Sequence, residues 1–194
     1  MPDGIVVIDK PAGWTSMDVC AKLRGAYHEK RVGHAGTLDP MATGVLPVFV
    51  GQATKAIPFA EDGRKEYRAR LRLGVVTDTQ DTQGRVLQSA SVAVGEAELR
   101  ALLPRFLGEQ EQLPPMYSAV RVHGQRLYDL ARKGVEVERK PRRIVIEALE
   151  LLPPDERGDF GLRVVCSKGT YIRTLCHDLG AALGCGGCMS ALRR

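Results

Sequence analysis

One carboxylate, Asp39, stands in the run Gly33-His34-Ala35-Gly36-Thr37-Leu38-Asp39-Pro40-Met41-Ala42-Thr43-Gly44, among three glycines, a proline and small residues. Such a run argues against helix or regular strand. Glycine reaches backbone conformations that other residues avoid, and Pro40 fixes its own φ and disfavours the α region for Asp39. A tight loop holding one acid suggests a placed functional group, since sites tend to sit on loops fixed by a rigid scaffold. The plainer reading is a turn in which Asp39 satisfies its own backbone. A second theme is basic. Arg121, Arg126, Arg132, Lys133, Arg139, Lys140, Arg142 and Arg143 crowd into 23 positions of a proline-bounded, irregular stretch, 114–143. A solvated surface would explain one charged helix; an extended basic arm is a plausible phosphate-tracking surface.

The 194 residues fit one domain with a full core. A hydrophobic fraction of 44% and a charged fraction of 26% are ordinary for a globular chain. No window approaches the ~20 apolar residues of a membrane span, and the N-terminus lacks the pattern of a signal peptide; a cytoplasmic location is expected. The net charge of +5 permits an anionic partner without demanding one. Five scattered cysteines are not a disulfide framework. Cys185-Gly186-Gly187-Cys188 is half of a zinc or redox signature, but no second Cys/His pair follows. Incidental thiols and no metal are the expectation.

These residues need elements to hold them. Residues 5–9 read as a short buried strand stopped by Lys10-Pro11-Ala12-Gly13. Thr15 or Ser16 can cap a helix over 16–27 with Val19, Leu23 and Tyr27 on its face. An apolar strand over 45–51 contains Pro47, which predicts an edge or a bulge. Residues 66–73 alternate, with Tyr67, Ala69, Leu71 and Leu73 on one face and Arg68, Arg70 and Arg72 on the other, as in a half-buried strand. A polar loop over 76–84 and a strand from 85 follow. A helix is expected over 96–107 through Leu99, Leu102, Leu103 and Phe106, a strand over 117–122 and a short helix over 125–133. Strands over 143–152 and 160–167 should pair across a turn at 153–158. A helix over 172–183 has Ile172, Leu175, Cys176, Leu179 and Leu183 on one face. Strands without regular βαβ alternation predict an α+β fold.

Several ordered segments resemble the TruB family of tRNA pseudouridine-55 synthases, over essentially the whole chain. Asp9-Lys10-Pro11-Ala12-Gly13-Trp14-Thr15-Ser16 resembles the family's first motif, and residues 32–47 its catalytic loop. Lys65-Glu66-Tyr67-Arg68 resembles the tyrosine segment, Thr77-Asp78-Thr79-Gln80-Asp81 the polar loop, and Pro114-Pro115-Met116-Tyr117-Ser118-Ala119 the start of the RNA-gripping insertion. Cys166-Ser167-Lys168-Gly169-Thr170-Tyr171-Ile172-Arg173 resembles the third motif, and Leu192-Arg193-Arg194 closes the catalytic domain. The resemblance implies a pseudouridine synthase fold: a central mixed, mostly antiparallel sheet with flanking helices, an active site in a cleft across it, and 114–143 as an RNA-binding insertion in one catalytic domain, 1–194. It also implies that uridine in the T-loop of tRNA is isomerised to pseudouridine by base flipping, with glycosidic cleavage and C–C bond formation. That reaction is redox-neutral and uses no ATP, so no cofactor is expected. The absence of a P-loop or dinucleotide fingerprint agrees.

The same resemblance assigns roles. Asp39 is the catalytic aspartate, acting by addition to the base, attack at C1′ or abstraction of the C2′ proton. It needs a cation, and Arg173 is the expected partner, since a guanidinium holds a carboxylate bidentately and keeps it ionised. A helix start is a poor place for a cation, so a buried acid near Arg173 would explain its position. Tyr67 stacks on the target uracil, with Tyr171 and Leu192 as pocket walls, although each of the three would also suit a core. His34 fills the space left by the flipped nucleotide. Lys10, Pro11 and Gly36 buttress the active-site loop.

Bacterial members usually continue into a small C-terminal RNA-binding domain of PUA type, which is expected to be missing here. The expected partner is the T-arm of tRNA, with a monomeric enzyme and no obligatory protein partner or membrane. The rival readings are a synthase acting on another RNA, including guide-RNA-dependent relatives, a non-catalytic RNA-binding module, and a structural zinc protein.

Overall fold

The computed structural model describes residues 3–60, 63–122 and 124–194. The chain forms two compact units, one made of residues up to Arg68 with Ala191–Arg194, the other of Ala69–Ser190. In the first, β1 (Gly4–Lys10) leads to α1 (Ser16–Tyr27), β2 (Val32–His34) and β3 (Gly44–Val50), then to a 3-10 segment (Gly51–Ala56) and α2 (Ile57–Ala60). Thr15 caps α1 with a full capping box: its hydroxyl accepts from Asp18 N–H, and the Asp18 carboxylate accepts from Thr15 N–H. Val19 and Cys20 are buried, Leu23 is half-buried, and Tyr27, expected on the same face, is exposed.

The strands order β1-β3-β2, antiparallel throughout. The glycine-rich run is therefore irregular only between its ends, with Gly33 and His34 closing β2 and Gly44 opening β3. β3 is the central strand, so the edge expected from Pro47 is overturned, and no bulge relieves it: Val7 faces Pro47 and Ile8 faces Leu46 in unbroken register. In an antiparallel strand a residue's N–H and C=O point to the same neighbour. The Pro47 carbonyl accepts from Ala35 N–H at 3.0 Å. Its nitrogen thus faces the side where β2 has just ended at His34, and the proline costs one bond at a frayed edge.

β4 (Lys65–Leu73) and β12 (Gly187–Arg193) each begin or end in the first unit and run through the second. Between them come β5 (Val75–Thr77), β6 (Val86–Ser89), α3 (Glu96–Leu102), β7 (Gly108–Gln112), β8 (Arg121–Val122), β9 (Gln125–Arg126), α4 (Leu127–Arg132), β10 (Arg142–Leu152), β11 (Phe160–Cys166) and α5 (Ile172–Ala182). The main sheet orders β12-β4-β11-β10-β7, with β10 antiparallel to both neighbours. The α+β class and the β10–β11 pairing are as expected. Tyr67, Ala69 and Leu71 are buried on one face of β4, as its alternation requires. The helix expected to reach 107 tightens into a 3-10 turn at Leu103–Phe106, because Pro104 cannot donate to an α-helical ladder. The strand expected over 117–122 is confined to Arg121–Val122, which hairpins with Gln125–Arg126, so α4 starts only at Leu127.

Helix α5 packs backbone to backbone on the start of β12. A Cβ at Gly180 would lie 2.2 Å from the Gly187 nitrogen, so no larger residue fits there. The sheet is also tied by Asp159, whose carboxylate takes two bonds from Arg72 (3.0 and 2.9 Å) and one from the Ser190 hydroxyl (2.6 Å). Burial alone would raise this carboxyl, but the bonds from Arg72 and Ser190 outweigh it and hold the group below its usual range. A depressed carboxyl contributes stability above its unfolded pKa, near ~3.9, and loses it as pH falls through the folded value. Asp159→Asn is therefore expected to cost about 1.5–3 kcal/mol at neutral pH and to flatten the loss of stability below about pH 4. Urea melts of both proteins from pH 7 to pH 2.5 check this; parallel curves would remove Asp159 from the acid response.

Candidate active site

Asp39 is half-buried, and its neighbours in the chain are pinned one by one. The hydroxyl of buried Ser16, at the start of α1, accepts from Leu38 N–H (3.0 Å) and donates to Leu38 O (3.3 Å). The Pro40 carbonyl accepts from Gly13 N–H (2.8 Å) and from the Lys10 ammonium (3.2 Å). Ala42 N–H closes a turn on the Asp39 carbonyl (3.0 Å). The far side of the loop joins the last residues: Thr43 N–H donates to Leu192 O (2.9 Å), Arg194 N–H to Thr43 O (3.0 Å) and Val45 N–H to Arg194 O (3.0 Å). Backbone contacts thus fix the main chain on both sides of Asp39.

Lys10 is fully buried at the end of β1. Its ammonium donates to the carbonyls of Trp14 (2.6 Å), Pro11 (2.9 Å) and Pro40 (3.2 Å), which accounts for all three protons. Burial pushes it below its usual pKa, while the negative charges of Asp39 and then Asp18 push it back up. A cation therefore stands in the field of Asp39 within the same unit, and it is Lys10, which the sequence suggested only as a buttress. His34 ends β2 opposite Val48, half-buried. Tyr67 and Leu192 are each 8% exposed. Gly36 adopts φ +72°, a conformation that suits glycine. So Asp39, Lys10, Pro11, His34, Gly36, Tyr67 and Leu192 all belong to the first unit.

Tyr171 and Arg173 belong to the second. Arg173, 6% exposed in the first turn of α5, donates to Thr79 O (2.9 Å) and Tyr117 O (2.8 Å), and its Nε lies 3.8 Å from the Asp81 carboxylate. The buried acid that offsets a cation at this helix start, within its own unit, is thus Asp81. Asp81 is itself fixed by the Thr79 hydroxyl (2.7 Å) and Gln83 N–H (3.0 Å). The Tyr171 backbone is clamped by the buried Gln112 amide, which accepts from Tyr171 N–H (2.8 Å) and donates to Tyr171 O (3.0 Å). Ser16, Asp81, Gln112 and Arg194 were not singled out as site residues from sequence. Ser16 left a signal, since two adjacent hydroxyls cannot both cap one helix, and Asp81 and Arg194 stand in the segments that resemble the family's polar loop and domain end.

In the insertion, the guanidinium groups of Arg126 and Arg132 lie 5.7 and 5.4 Å from the Tyr128 ring centroid. They line a hollow of about 570 Å³ with Arg121, Lys133 and Asp129. The five cysteines are free and buried. Burial pushes the Cys188 thiol up to about 11. Among the described residues, no three His, Cys, Asp or Glu side chains gather as a metal ion would need.

The family model described as TruB family pseudouridylate synthase (N terminal domain) matches residues 24–172. The chain belongs to the TruB family. A second model, described as tRNA pseudouridylate synthase B C-terminal domain, matches residues 173–194. TruB-family relatives named tRNA pseudouridine synthase B include those of Syntrophomonas wolfei (52% identical, covering 98% of this chain and 65% of that protein), Alkaliphilus oremlandii (50%, covering 99% and 64%) and Opitutus terrae (50%, covering 99% and 80%). The chain thus spans 64–65% of the length of the first two relatives. Among solved structures, a chain of a Cbf5-Nop10-Gar1 complex matches with a TM-score of 0.76 and 33% identity, covering 98% of this chain and 47% of that one. A chain of an H/ACA RNP bound to a substrate RNA containing 2′-deoxyuridine matches at 0.70 and 30%, covering 98% and 46%. The TruB-family chain therefore has the pseudouridine synthase fold expected from its sequence, and among the described residues no helix is long and apolar enough to cross a membrane.

Proposed function

We propose that this chain isomerises uridine to pseudouridine at position 55, in the T-loop of tRNA. The observation that supports it most is the Asp39 loop: one carboxylate, aimed by backbone bonds on both sides and balanced by a buried ammonium, in a chain of the TruB family. In the reaction the N1–C1′ bond breaks, the base turns, C1′ bonds to C5, the C5 hydrogen leaves to solvent and N1 gains a proton. Atoms and electrons balance within the substrate, which leaves no role for a redox cofactor. Asp39 supplies the anionic group at the ribose–uracil junction. Arg173 pairs with it in the working enzyme, Tyr67 stacks on the extruded uracil for about 1–3 kcal/mol, and Tyr171 and Leu192 wall the pocket. His34 occupies the gap in the RNA stack. Lys10, Pro11 and Gly36 shape the loop, and residues 114–143 of the catalytic domain grip the T-arm phosphates through their exposed arginines. The enzyme works in the cytoplasm as a monomer.

The solved neighbours come from protein or RNA–protein complexes, which raises a guide-dependent reading. Identities near 50% to tRNA pseudouridine synthase B proteins, against 33% and 30% for those neighbours, favour free tRNA. The test is tritium release from C5-labelled uridine in a T-arm stem-loop with this chain alone. Release matched by pseudouridine is expected; bound RNA that releases nothing would overturn the reading.

A further inference from the structure

We propose that Arg194 is a positioning residue for the Asp39 loop, acting on the rate of the isomerisation and not on RNA affinity; this rests on the synthase reading above. Two glycines with positive φ bracket Asp39, Gly36 at +72° and Gly44 at +104°. Both are hinges that only glycine takes readily, and both abut the same residue. A Cβ at Gly36 would lie 2.9 Å from Arg194 Nη1, and one at Gly44 would lie 2.2 Å from Arg194 O and 2.9 Å from its N. The contact is built from bonds as well as proximity. Arg194 Nη2 donates to Gly36 O (2.9 Å) and Arg194 Nε to Val45 O (2.9 Å). Its main chain is paired with Thr43 O and Val45 N–H at 3.0 Å each.

The two kinds of contact separate cleanly. Any residue at 194 can make the main-chain pair. Only a guanidinium presents donors in a rigid fork that spans two carbonyls nine positions apart in the chain, that of Gly36 itself and that of Val45, just past Gly44. The side chain therefore holds the two ends of the segment carrying Asp39 at a fixed separation. An ammonium gathers its three donors at one point, so it cannot replace donors that Arg194 places at two separate positions, Nε and Nη2. The side-chain bonds of the clamp go to main-chain carbonyls of the loop. What the clamp governs is where the carboxylate stands, and misplacing a reacting group by about 1 Å can cost on the order of 100-fold in rate.

The experiment compares the parent with Arg194→Ala and Arg194→Lys on the T-arm stem-loop. Three quantities are read: single-turnover tritium release at saturating protein, RNA affinity, and amide hydrogen exchange. Both variants are expected to lose about 10- to 100-fold in rate, with affinity within about 3-fold of the parent and the thermal midpoint held. Exchange should quicken at Ala42 N–H, which closes the turn on Asp39 O, while amides of α1 stay protected. Methylguanidine should restore part of the rate of Arg194→Ala. A Lys variant with the parent's rate, or an affinity loss matching the rate loss, would show that Arg194 serves as a charge for RNA and would overturn the proposal. A parent that releases no tritium would sink the synthase reading alone; Ala42 exchange unchanged in Arg194→Ala would then still reject the clamp, and quickened exchange would uphold it.

Discussion

Asp39→Asn is expected to lower tritium release from a T-arm stem-loop by on the order of 10⁴-fold or more, with RNA binding and fold retained. Asparagine has almost the shape of aspartate, and an amide is neither nucleophile nor base at neutral pH. The loop should survive the change, because its anchors are backbone groups: Leu38 on the Ser16 hydroxyl, Pro40 O on Gly13 and Lys10, and Asp39 O on Ala42. One electrostatic link does break. Lys10 loses the negative charge that opposes the effect of its burial, so its ammonium moves further below the usual value. Release assays on both proteins, with filter binding and a thermal melt, separate chemistry from folding. Equal release would remove Asp39 from the reaction.

Much of the frame was legible because local patterns agreed with the tertiary outcome. Thr15 and Asp18 carry their capping box in four consecutive residues, and β4 alternates so strictly that Tyr67 could be assigned to the buried face. The β10–β11 hairpin and α5 stand out for the same reason. β7 was missed because Gly108-Glu109-Gln110-Glu111-Gln112 is polar; as an edge strand it has little apolar surface to bury, and its charges discourage pairing with another chain. β12 was missed because Gly187, Cys188 and Ser190 carry weak strand propensity, and only packing on α5 and β4 makes the segment a strand. Pro47 misled for a sharper reason. A rule about edges is a rule about one missing N–H, and the chain puts that gap where β2 has already ended.

The site divides along the same line. Asp39 was conspicuous because glycine and proline mark its loop locally. Its supports lie far away in sequence: Arg194 meets Gly36 across 158 positions and Val45 across 149. Asp81 and Gln112 are similar cases, a polar loop and a polar strand whose side chains gain meaning only when Arg173 and Tyr171 arrive 92 and 59 positions later. A single sequence shows which group could do chemistry more readily than which groups hold it still.

Lys10 is the extreme case of a holding group, and Lys10→Met is expected to cost about 3–5 kcal/mol of stability. Methionine matches the length and apolar stem of lysine, so the void is small. The loss comes from the ammonium. It meets three carbonyls at 2.6, 2.9 and 3.2 Å, and Pro40 O has a second donor in Gly13 N–H. Trp14 O and Pro11 O lose the charged donor that stands between the end of β1 and the start of α1. The Asp39 loop loses one of its two anchors at Pro40 and the nearby positive charge together. Activity should therefore fall along with stability, by about 100-fold or more at a temperature where the variant is still folded. Arginine is not expected to rescue it, because a planar fork cannot meet three carbonyls set around a point. Urea melts and single-turnover release on Lys10→Met and Lys10→Arg decide the matter. A methionine variant as stable as the parent would mean that the three carbonyls find other donors, and one that is stable yet inactive would assign Lys10 to the charge of the site and not to its architecture.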